Sequence, residues 1–81
     1  MNIKELNQQY LDQMRENFKL LRRSGGWTLE ELAGKTGIPQ GALRDMEEGG
    51  DFGIAYLLAL CRFYHIKPRQ AFEQARLEKE E

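Results

Sequence analysis

One cysteine, one histidine and two prolines are all that the 81 residues hold of those types. Cys61 alone cannot close an internal disulfide, which fits a reducing cytoplasm. With His65 it supplies two of the four ligands that a structural zinc site takes, so no metal is expected. A catalytic nucleophile needs a base beside it, and the single histidine, at the end of a predicted helix, gives none. No active site and no cofactor are expected, and the chain is not read as an enzyme. Cys61 falls on an apolar helical stripe, where a small buried side chain explains it better than a reactive thiol. The glycine pairs at 25–26 and 49–50 follow predicted helices as caps, and neither matches a phosphate-binding loop. No apolar run approaches the roughly 20 residues of a membrane span. Met1–Gln13 is polar and periodic, so no signal peptide is expected. Nor is there an excess of positive charge: the net charge is -1 and the pI about 5.9. Nothing alternates at period two, so no sheet is expected.

What is present is helical periodicity. Asn2 and Glu5 have the spacing of a capping box. Ile3, Leu6, Tyr10, Met14, Phe18 and Leu21 recur at steps of three and four, which predicts a long helix over 3–23. Ser24-Gly25-Gly26 ends it. A later helix is expected over 52–64, with Ile54, Leu57, Leu58, Cys61 and Tyr64 inward and Leu60 widening that face. Pro68 opens a last helix over 68–76, with Ala71, Phe72 and Ala75 inward. Arg76–Glu81 is a charged end. An 81-residue chain makes one domain with a modest core. The first helix's stripe is therefore covered either by the last helix or by a second copy.

Between these lies the stretch that organises the chain, Trp27–Gly49. Thr28 and Glu31 form a second capping box, with Trp27 and Leu32 at the positions of a hydrophobic staple. The helix over 29–36 stops at Gly37, which has no Cβ to oppose a left-handed conformation. Pro39 suits the start of the next helix, 40–48, which carries Leu43 and Met46 inward and stops at Gly49.

The motif T-x-E-E-L-A, then G-I, then L-x-x-M-E-x-G resembles the helix-turn-helix of the lambda-repressor/Cro-like (XRE) family. The likeness runs from about Met14 to Phe72, with 2–13 as an N-terminal helical extension. The family's small residue falls on Ala33, its turn glycine on Gly37, and its apolar pins on Leu32, Ile38, Leu43 and Met46. The resemblance implies an all-α, five-helix fold with an N-terminally extended first helix. It implies double-stranded DNA as partner, with Gln40, Gly41 and Arg44 at the major groove. Gln pairs with adenine and Arg with guanine. Thr28, Lys35 and the backbone N–H groups at 28–30 and 40–41 are left for phosphates. It also implies an ion pair between Arg22 and Glu47. The chain departs from the pattern in three places. Leu29 stands where the family often has Gln, Gly41 offers no side chain, and Gly50-Asp51-Phe52-Gly53 lacks the usual cation.

Charge pulls against that reading. Residues 1–27 carry +2, residues 28–51 carry -4 and residues 52–81 carry +1. The motif is thus the acidic third of the chain. The sequence reads as a cytoplasmic, sequence-specific DNA-binding regulator of repressor type, homodimeric and without membrane contact. The rival is a helix-turn-helix fold that binds a protein partner and has weak or lost DNA binding.

Overall fold

A computed structural model describes residues 3–73, with side chains from Asn7 onward. Four α-helices follow one another: α1 (Ile3–Ser24), α2 (Leu29–Thr36), α3 (Gln40–Glu48) and α4 (Ile54–Tyr64). A single 3-10 turn, Pro68–Phe72, closes the order, and no strand occurs among the described residues.

The elements meet on one core. Met14 and Phe18 enter it from α1, Leu32 from α2, Leu43 and Met46 from α3, and Leu57, Leu60 and Cys61 from α4. Ile38, between α2 and α3, and Ala71, in the 3-10 turn, complete it. Along the α1 stripe Met14 and Phe18 are buried and Leu21 partly so, whereas Tyr10 is half exposed. Ile3, Leu6 and Ala75, also expected on apolar faces, lie outside the described side chains.

Two glycines set the motif's geometry. Gly37 has φ 79°, and its N–H donates to Ala33 O at 2.8 Å, so α2 ends in a left-handed cap. A Cβ at Gly25 would stand 2.4 Å from Nε1 of Trp27. That glycine lets the indole fold back over the α1–α2 linker.

Two helices differ from the sequence expectation. α4 begins at Ile54 rather than at residue 52, because Gly53 is extended (φ -91°, ψ 146°). Its inward face is Leu57, Leu60 and Cys61, while Ile54 is 64% and Leu58 46% exposed. The segment is apolar almost all round, so its period did not single out one side. The expected fifth α-helix is a 3-10 turn, and Glu73 after it is extended. Asn17 explains the stop: its Nδ2 donates to Ala71 O at 2.8 Å and Glu73 O at 2.7 Å. Residues 74–76 lie outside the described residues.

Candidate nucleic-acid interface

The candidate interface is best built from the buried side of α3. Leu43 and Met46, three apart, turn one face of the helix into the core, and Glu47 lies beside them at 9% exposure. A carboxylate so placed needs a partner. Arg22 of α1 supplies it as a fork, Nε to Oε2 at 2.6 Å and Nη2 to Oε1 at 2.9 Å. Its Nη1 donates to Trp27 O at 2.8 Å. One guanidinium therefore joins α1, the α1–α2 linker and α3. The hydrogen bond to Glu47 raises the Arg22 pKa above its ordinary value, with burial opposing.

Arg15 holds the same C-terminal end of α3 through its backbone. Its Nη1 donates to Asp45 O at 2.7 Å and Met46 O at 3.0 Å. A cation there complements the negative end of the helix. The same guanidinium lies 5.6 Å from the centre of the Phe52 ring, which ties down the α3–α4 linker.

So anchored, α3 exposes Gln40, Gly41, Arg44, Asp45 and Glu48. Gln40 and Arg44, four apart, stand in one row along the helix, and Glu48 ends that row. Arg44 has no ion-pair partner among the described residues. The face therefore presents an amide and a cation at its N-terminal end and carboxylates toward its C-terminal end.

The helix starts differ in the same sense. α2 caps itself: Thr28 Oγ1 accepts from Glu31 N at 3.0 Å, and Glu31 Oε1 accepts from Thr28 N at 2.9 Å. Glu30 and Glu31 in its first turn stabilise α2 and oppose an anion on its backbone N–H groups, which leaves the hydroxyl proton of Thr28 as the donor there. α3 and α4 have neither a side-chain cap nor an acidic residue in the first turn. The N–H groups of Gln40 and Gly41, and of Ile54 and Ala55, are thus helix-start donors open to an anion. Lys35 is at the far end of α2 from Thr28, roughly 10 Å along the axis. Its Nζ lies 5.2 Å from the centre of the Trp27 ring.

A family model described as helix-turn-helix matches residues 18–70. The chain belongs to that family. The helix-turn-helix family, here in its lambda-repressor-like form, consists of DNA-binding regulatory domains that are not typically enzymes. No match is found among curated proteins or solved structures. Among the described residues, no helix is long and apolar enough to cross a membrane.

Of the residues singled out in the sequence, this helix-turn-helix protein brings Gln40, Gly41 and Arg44 onto one exposed surface. It joins Arg22 to Glu47, and it separates Thr28 from Lys35 by the length of α2. Arg15 and Asn17 were not singled out. Asn17 carries a readable signal, since it sits three after Met14 and four before Leu21, a polar residue on an apolar stripe. Arg15 carries none, because its partners are backbone carbonyls 30 and 31 residues away.

Proposed function

We propose that this helix-turn-helix protein is a sequence-specific DNA-binding regulator of repressor type that places residues 40–48 in the major groove. The observation that supports it is the paired exposure of Gln40 and Arg44 on a helix whose buried side is fixed by Leu43, Met46 and the Arg22–Glu47 pair. Arg44 reads guanine, and Gln40 reads adenine or a neighbouring edge. Gly41 lets the helix backbone approach the groove. Phosphates are met by the hydroxyl of Thr28 and by the N–H groups that open α3 and α4. Lys35 is left out of this set, since it stands at the far end of α2 from Thr28, roughly 10 Å along the axis. The protein acts as a cytoplasmic homodimer, in which exposed Tyr10 of the α1 stripe is the side chain available for covering.

A second reading has its own observation. Glu30, Glu31, Asp45, Glu48 and Asp51 are all exposed within residues 28–51. Such a field favours a protein partner over a phosphate backbone. Titration of wild type and Arg44→Ala against a selected duplex and a random one separates the two. The regulator reading expects Arg44→Ala to lose about 1–3 kcal/mol on the selected duplex and to relax preference at one base pair. Failure of the wild-type protein to bind any duplex at low salt would reject it.

A further inference from the structure

α4 presents a row of side chains that the DNA reading leaves unused, since that reading takes only the backbone N–H groups of Ile54 and Ala55 from this helix. Ile54 is 64% exposed and Leu58 46% exposed. They are four apart and so stand in one row along the helix, and Arg62 is next in that row. The three span about 12 Å. Beside the row, exposed Ala55 keeps the surface low. Ala59 lines an open groove of about 310 Å³ between the end of α2 and α4, with Lys35, Thr36, Arg62 and Phe63 as its other walls.

The groove's polar chemistry is narrow. The Thr36 hydroxyl is already used: it donates to Leu32 O at 2.8 Å and accepts from Ile38 N at 3.1 Å. Recognition of a polar group therefore falls to Lys35 and Arg62. Both are exposed cations, and neither has an ion-pair partner among the described residues. Each is in the last turn of its helix, where a cation complements the helix dipole. That accounts for the two charges but not for the exposed apolar row that leads to them. The whole surface thus reads apolar at one end and doubly cationic at the other.

Its complement is an amphipathic helix with apolar residues three or four apart and carboxylates at one end. A small anion would satisfy the cations and leave Ile54 and Leu58 in water. A second copy fits poorly, because the segment from Ile54 to Arg62 carries no carboxylate. A two-fold pairing centred on Leu58 sets each Arg62 against the partner's Ile54. We propose that the outer face of α4 and the α2–α4 groove dock an acidic amphipathic helix of a partner protein. The surface shares no side chain with the DNA reading and meets it only at the backbone N–H groups of Ile54 and Ala55, so the row from Leu58 to Arg62 and the groove are open whether or not DNA is bound.

The test uses the full chain and two synthetic helical peptides. Both carry leucines at steps of three and four, and they end in two glutamates or in two lysines. Trp27 is the single tryptophan and lies beside Lys35, so its fluorescence reports on the groove. Backbone amide shifts report on the row. The acidic peptide should shift residues 54–63 saturably and quench or enhance Trp27. The basic peptide should bind about tenfold more weakly, the size expected of two exposed ion pairs. Lys35→Glu with Arg62→Glu should reverse that preference while the thermal melt shows a folded protein. Leu58→Ala should weaken both peptides. Equal affinity for the two peptides, or no saturable shift in 54–63, would overturn the proposal. So would sedimentation showing that Leu58→Glu turns a dimer into a monomer, since a second copy would then be the occupant. DNA binding is measured separately with the duplexes above, so a failure of one reading is visible without the other.

Discussion

Two side chains show how much a single position carries. Glu47 and Arg22 are 7% and 15% exposed as side chains, so the pair is nearly out of water. Breaking such a pair leaves a charge without its counter-charge, which costs more than the intact pair contributes. Glu47→Gln should destabilise the fold by about 3 kcal/mol, read from urea unfolding. A loss of only a few tenths would mean that water reaches the guanidinium freely. Cys61 makes the second case through its proton. Burial in the core pushes its thiol pKa up, so the folded state holds that proton more tightly than the unfolded chain does. The resulting stability is fully present below the ordinary thiol range and is lost as pH rises through the folded value. Stability should therefore begin to fall above about pH 8.5, before Tyr64, whose pKa burial also raises, contributes from about pH 10. Unfolding midpoints of wild type and Cys61→Ala across pH 7–10 check this, and a decline of equal slope in both would assign it to another group.

Each element was legible to the extent that its determinants were local. Thr28 with Glu31, Gly37 and Gly49 are signals within four residues of the boundary they set, and α2 and α3 run as the sequence indicates. The pins Leu32, Ile38, Leu43 and Met46 are all buried. α4 was legible as a helix but not in its rotation. Ile54, Leu57, Leu58, Leu60 and Cys61 spread over nearly half of the circumference, with Ala55, Tyr56 and Ala59 on the rest, and only packing against the other elements chooses among them. The 3-10 turn was illegible for a different reason. Its carbonyls at Ala71 and Glu73 are taken by Asn17, 54 and 56 residues earlier, and no local pattern announces that. The same feature makes a prediction about the element. Asn17→Ala removes both hydrogen bonds and should cost about 2 kcal/mol. Amide exchange at 70–73 should speed up while α2 and α3 stay protected. Equal loss of protection in α2 and α3 would show that the clamp supports the whole core.

At the scale of the molecule, shape and charge point different ways. α3 is anchored from behind and offered outward, but residues 28–51 carry -4. Each phosphate neutralised contributes about 0.9 to the slope of log affinity against log salt. With backbone N–H groups doing much of the work, the slope should be shallow, on the order of 2–4 per monomer. Titrations of one duplex at several salt concentrations check it, and a steep slope would mean that cations outside the motif reach the DNA. Asn17 has one further consequence, in time rather than in space. Arg22 and Glu47 are 25 residues apart, whereas Asn17 reaches Ala71 across 54. Closing a longer loop costs more entropy and is slower. A growing chain can therefore assemble α1, α2 and α3 around the Arg22–Glu47 pair first. It can latch α1 to the 3-10 turn at both carbonyls only once Glu73 has been made, so the motif exists before that latch closes.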